Sequence, residues 1–184
     1  YFTRAMGVKR RRALMLMEIY GALLLIMDRF AYIYRGNVSV IGWWMVRISN
    51  FCVYLFSLCI IHAFNLYIID LITHEGELAK TPKRLWFCEI LFFAGIISLV
   101  VSSFTGFYYF FDELNQYYRS SGIIISYCFP LLIMTFQISV IIQYFHRIAR
   151  NIRISILLFS IIPFIAMIIQ LFSYGVSLQN IAMV

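Results

Sequence analysis

Five long apolar blocks divide the chain, and they constrain its fold more than any other feature. About twenty residues at 1.5 Å per residue cross a hydrocarbon core of roughly 30 Å. Backbone groups in lipid must pair within a helix or a closed barrel, and runs such as LLIMTFQISVII show no strand-like alternation. We therefore predict an all-α, polytopic transmembrane helix bundle that forms a single domain over residues 1–184. Its five full helices are predicted at 13–34, 41–71, 85–111, 122–145 and 154–174.

Composition supports the membrane class and argues against a nucleic-acid partner. Hydrophobic residues make up 63% of the chain and charged residues 12%, whereas soluble domains average about half and about a quarter. The net charge of +7 is divided among short tracts between apolar blocks and does not form one solvated face. The lipid bilayer is therefore the expected partner.

The basic tracts predict an orientation. Eleven of the 15 Lys and Arg residues fall before the first block, between the second and third, and between the fourth and fifth. Helices that alternate in direction bring these tracts to one side, which the positive-inside rule identifies as cytoplasmic. We expect a multi-pass protein of the inner cell membrane, with residue 1 on the cytoplasmic side and the loop 112–121 outside.

Both ends of the sequence read as parts of further helices. Residues 1–4 have the character of a last helical turn, and residues 181–184 that of a first one. The five blocks would then be helices 2–6 of a seven-helix unit. The alternative is a five-helix protein with short tails.

Ionisable residues within apolar blocks are functional candidates by default, because they are costly in lipid. Asp28 and Arg47 lie at similar predicted depth, so an ion pair between them could fix two helices or act as a latch. Asn50, His62 and Asn65 form a candidate polar network, in which His62 and Asn65 share a helix face. Their roles are interhelical hydrogen bonding or, for His62, proton relay.

Other polar and aromatic residues cluster near the predicted membrane boundaries. Trp43, Trp44, Asp112 and Glu113 form a candidate outer stimulus face, where aromatic rings make either a headgroup belt or a pocket lining. The carboxylates nearest the basic loops are interpreted as snorkelling groups or as partners in surface ion pairs. The alternative is a role of these carboxylates in transport. They are Glu18, Asp70 and Glu89.

Backbone and cysteine patterns carry little chemistry. Small residues recur on the third block at Gly95, Ser98, Ser102 and Gly106, a stripe that predicts close helix packing. Pro130 and Pro163 predict helix kinks. The four cysteines lack CxxC spacing, and no catalytic, metal-binding or cofactor motif is present. We expect no enzymatic site within these residues.

Three segments resemble the seven-helix amino-terminal regions of bacterial signalling proteins. They are RISNFCVYLFSLCIIHAFNLYIIDL (47–71), FTGFYYFFDELNQYYR (104–119) and SYGVSL (173–178). In the resembling proteins this region precedes a cytoplasmic output module: a GGDEF diguanylate cyclase most often, otherwise an EAL phosphodiesterase or a histidine kinase. The resemblance implies a sensory region that passes a stimulus to a covalently linked output module, and by analogy a homodimer. It assigns no role to a single residue.

Two other functions stay open. A transporter or ion-coupled carrier would place His62, Asn65 and the carboxylates along a pathway, although no inverted repeat is apparent. A structural membrane subunit is the third alternative.

Overall fold

A computed structural model describes residues 7–172, apart from 75–77 and 79. Five α-helices and one short hairpin follow in chain order: α1 Val8–Ile33, α2 Val40–His74, α3 Lys83–Thr105, β1 Tyr109–Phe111, β2 Tyr117–Arg119, α4 Ile123–Gln143 and α5 Arg150–Phe172, with a 3₁₀ turn at Phe145–Arg147. The predicted all-α bundle is confirmed. The predicted helix start at 181–184 lies outside the described residues.

Four of the five helices are long and apolar enough to cross a membrane, judged by length and composition. They are α2, α3, α4 and residues 152–169 of α5. The first helix is different, because every 18-residue stretch of α1 contains at least three charged residues. Five membrane spans were predicted, and length and composition support four of them. The chain is a multi-pass membrane protein.

The predicted helix 85–111 is wrong at its end. The helix stops at Thr105, and Gly106 takes a left-handed conformation with φ 68°, donating its N–H to the Ser102 carbonyl. A left-handed glycine is a common helix terminator. The aromatic residues that follow form an antiparallel ribbon in which Tyr109 faces Arg119 and Phe111 faces Tyr117.

The other predicted boundaries differ by a few residues, mostly because charged residues extend the helices past their apolar blocks. Basic residues lengthen α1 and α5 at their starts, and α2 continues to His74. Conversely, α4 ends at Gln143. Apolar content marks what the bilayer covers, whereas a helix can continue into the headgroup region.

The long helix α2 is the centre of the bundle. Its residues enter all three apolar clusters: Ile68 and Leu71 in the first, Ile60 and Ile61 in the second, and Tyr54 in the third. We call the end of the bundle that carries β1 and β2 the hairpin end. The opposite end, where α1, α3 and α5 begin, is the basic end.

Candidate functional site

Asn115, in the turn between β1 and β2, fastens the hairpin to the rest of the bundle. It is 2% exposed and has a left-handed φ of 58°. Its Oδ1 accepts a hydrogen bond from Arg47 Nη1 at 2.7 Å, and its Nδ2 donates to the Asn37 carbonyl at 2.8 Å. Its own carbonyl accepts the N–H of Gly36 at 3.1 Å. One side chain thus joins the hairpin to α2 and to the α1–α2 loop.

The Arg47 guanidinium lies between two aromatic rings. It is 3.9 Å from the Trp43 ring centroid and 4.7 Å from that of Phe111, distances at which cations are attracted to ring faces. Arg47 Nη1 also donates to the Trp43 carbonyl at 3.0 Å. These contacts lead to the hairpin and to its own helix, so the ion pair with Asp28 stays a prediction.

The predicted stimulus face is brought together only in part. Trp43 and Trp44 meet edge to face at 4.7 Å, and both are exposed. Asp112 is half-buried and accepts the N–H of Gln116 at 2.7 Å, so it shapes the hairpin turn. Glu113 is exposed. Two members of this predicted face therefore contact the Arg47–Asn115 pair: Trp43 contacts Arg47, and the Asp112 carbonyl accepts the N–H of Asn115 at 3.0 Å.

Tyrosines join the hairpin to α2 and α3. The rings of Tyr54 and Tyr109 stack at 5.4 Å, and the hydroxyls of Tyr54 and Tyr117 are 2.8 Å apart. Ser102 Oγ accepts the N–H of Tyr108, and Ser98 bonds to its hydroxyl. Burial raises the pKa of Tyr109, so this hydroxyl stays neutral. Half of the predicted small-residue stripe thus holds the hairpin by hydrogen bonds.

A second polar cluster joins α2, α3 and α4. His62 Nδ1 lies 3.0 Å from Glu89 Oε2, an ion-pair distance, although the approach falls outside the angles of a hydrogen bond. Asn65 Nδ2 donates to Glu89 Oε1 at 2.6 Å. Gln137 Nε2 donates to the Ile61 carbonyl at 3.0 Å and lies 3.5 Å from Asn65 Oδ1. The His62 ring also stacks on a phenylalanine of α3.

The structure brings together two of the three residues predicted for this network. His62 and Asn65 belong to it, whereas Asn50 donates to the Val46 carbonyl of its own helix at 2.7 Å. Glu89, interpreted as a surface-paired group, is a half-buried member instead. Sequence reasoning missed Gln137, although an amide in the middle of an apolar block was an available signal.

The ion pair in this cluster can be measured with a double-mutant cycle of His62→Phe and Glu89→Gln. We expect a coupling free energy of about 0.6 kcal/mol and at most about 1.7 kcal/mol, the average and the maximum for polar contacts between membrane helices. Unfolding in mixed micelles would measure it. A control cycle of Asn50→Ala with Glu89→Gln should be additive, and a coupling as large there would contradict the assignment.

A third polar contact joins α1 and α2 at the basic end. Arg10 Nε lies 3.3 Å from Asp70 Oδ2, and both side chains are 6% exposed. His74 Nδ1 lies 3.2 Å from the other carboxylate oxygen. Asp70 does pair with a residue of the basic tracts, as its interpretation expects, but the expected surface position was wrong, because α1 begins earlier than predicted and covers it. Glu18 is exposed, as that interpretation expects.

The polar groups in these clusters bind to groups of neighbouring helices or of the hairpin. Within the described residues, no group of three or more His, Cys, Asp or Glu side chains could hold a metal ion. No protein-family model, curated protein or solved structure matches the chain. The features of the chain that bear on function are the three polar contacts along α2, around Arg47, His62 and Asp70.

Proposed function

We propose that this bundle is the sensory input region of a bacterial signal-transduction protein. In this proposal the hairpin end faces outward from the inner membrane, and the basic end lies in the cytoplasm. The output is a covalently linked module, for which a diguanylate cyclase is our first choice. The protein acts as a homodimer. The sequence resemblance and the arrangement of contacts along α2 support it.

The contact between Arg47 and Asn115 carries the proposal. It connects the hairpin to α2, a continuous helix of 35 residues that is about 52 Å long at 1.5 Å per residue. The same helix bears His62 and Asn65 about two-thirds of the way from the hairpin end and Asp70 near the basic end. A displacement of the hairpin is therefore transmitted by one rigid element to contacts with α3, α4 and α1.

A stimulus acts on such a system only through a difference in affinity. A ligand must bind one helix arrangement more tightly than another, by about 1 to 3 kcal/mol for typical coupling. The hairpin turn and the adjoining Trp43 present exposed groups beside Arg47 where this difference could arise.

The proposal is tested with Arg47→Gln in the full-length gene product. We expect the level of cyclic di-GMP in cells to change by about fivefold or more at equal membrane abundance, since typical coupling covers that range. Arg35→Gln is the control, because Arg35 contacts Gln116 of the hairpin from the exposed α1–α2 loop. Equal output from both variants would refute the role of Arg47. A full reading frame without an output module would refute the proposal itself.

An ion-coupled carrier is the second candidate, favoured by the cluster around His62. Glu89 is a half-buried carboxylate beside a titratable ring, and within the described residues Gln137 Oε1 is a buried acceptor without a partner. Such groups are typical of ion pathways. Proton or cation flux through the purified protein in liposomes, abolished by Glu89→Gln, would favour this function over the sensory one.

A further inference from the structure

The start of α1 breaks the usual electrostatic rule for helices. Lys9, Arg10, Arg11 and Arg12 occupy its first turns, where the helix dipole is positive and acidic residues are favoured. No acidic residue lies in the first turn, and no side chain caps the helix. Four adjacent cations also repel one another. A local rule broken in this way indicates that an anionic group offsets the cost.

Asp70 supplies that group for one of the four cations only. Arg10 points inward to the Asp70 carboxylate and is 5% exposed. Lys9, Arg11 and Arg12 are exposed, and within the described residues their side chains have no hydrogen-bond or ion-pair partner. Within the part of the chain that the structure describes, three cations at the start of α1 are thus exposed without an anionic partner.

The ion pair of Arg10 also fixes the rotation of α1. Successive helical residues are about 100° apart, so Lys9, Arg11 and Arg12 fall within an arc of about 160° centred opposite Arg10. Further along the helix, the same arc contains exposed apolar side chains: Met15, Ile19 and Ile26. Glu18 lies at the edge of this arc, about 10 Å along the axis from Arg11. One face of α1 is thus basic at its start and apolar beyond.

We infer that this face of α1 binds an anionic phospholipid, with its phosphate headgroup on Lys9, Arg11 and Arg12 and its acyl chains along Met15, Ile19 and Ile26. Basic clusters beside a membrane helix attract anionic headgroups, and the apolar continuation fits chains that a free phosphate lacks. The inference does not depend on the signalling role.

The test uses the full-length protein in detergent, with bound lipid counted by native mass spectrometry. The probes are phosphatidylglycerol and phosphatidylcholine of equal chain length. We expect the native protein to prefer phosphatidylglycerol. The triple variant Lys9→Gln/Arg11→Gln/Arg12→Gln should lose about a hundredfold in affinity for it, at about fivefold per charge. Arg12→Gln alone should lose about fivefold, which keeps the test decisive if the triple variant does not fold.

The control removes three exposed charges from the same end of the bundle, with Lys80→Gln/Lys83→Gln/Arg150→Gln. It should lose less than about fivefold, the effect of one charge near the surface. Equal losses in the two triple variants would overturn the assignment to α1, as would equal affinity of the native protein for the two lipids. Displacement of the lipid by inorganic phosphate at equal concentration would assign the site to free phosphate instead.

Discussion

Replacing Asp70 by alanine is expected to lower the free energy of unfolding by about 3 to 5 kcal/mol, the cost of removing one partner of a buried ion pair. The variant would remove the Asp70 carboxylate from a guanidinium that is almost fully buried. It would also remove the contact with His74. Reversible unfolding in mixed micelles, followed by helical circular dichroism, measures the loss.

Two further variants separate the buried pair from a general loss of charge. Glu18→Gln removes an exposed carboxylate of α1 and should change stability by less than about 0.5 kcal/mol. The double variant Arg10→Met/Asp70→Leu should recover most of the loss, because apolar replacements of a buried pair are often neutral or stabilising. A double variant as unstable as Asp70→Ala would show that the charges themselves hold α1 in place.

Replacing Asn115 by alanine is expected to cost about 4 kcal/mol. It should release the hairpin turn from Arg47 and Asn37, while the contacts of Tyr54 with β1 and β2 remain. The side chain accepts a charge-assisted hydrogen bond from Arg47 and donates another to Asn37. The first kind contributes about 1.5 to 3 kcal/mol and the second about 1. The left-handed backbone adds strain for alanine. Faster cleavage of the hairpin turn by a protease, compared with the native protein, would report this release.

Asn115→Gly is the matched control for that strain. Glycine adopts a positive φ without cost, so this variant loses the same two hydrogen bonds and should be more stable than Asn115→Ala by about 1 kcal/mol. If both variants kept native stability and protease resistance, the contacts of Asn115 would not be what fastens the hairpin turn.

The helices were largely predictable from the sequence, and the hairpin was not. Apolar blocks identify helices because lipid leaves the backbone few choices. The run from Phe107 to Phe111 is equally apolar and aromatic, which fits a buried helix end as well as a strand. Gly106 held the deciding signal, since a left-handed residue there ends the helix. Asn115 stands in a polar loop where nothing marks it as buried.

The partners within the site depended on helix rotation, which a single sequence does not report. His62 and Asn65 share a face by spacing alone, and this part of the prediction needed no structure. Their contact with Glu89 requires α3 to present that residue toward α2. The burial of Asp70 likewise requires a helix 60 residues earlier in the chain to cover it.

The unbroken course of α2 makes its contacts sensitive to any change in its length. Inserting one residue between Asn65 and Asp70 would turn every later side chain by about 100° about the helix axis. Asp70 would leave Arg10, although the residues around His62 kept their places. An insertion of seven residues, close to two full turns, nearly restores the angular phase but moves Asp70 about 10 Å along the axis. We therefore expect any insertion between Asn65 and Asp70 to separate Asp70 from Arg10, whereas substitutions keep both the phase and the length that match α1.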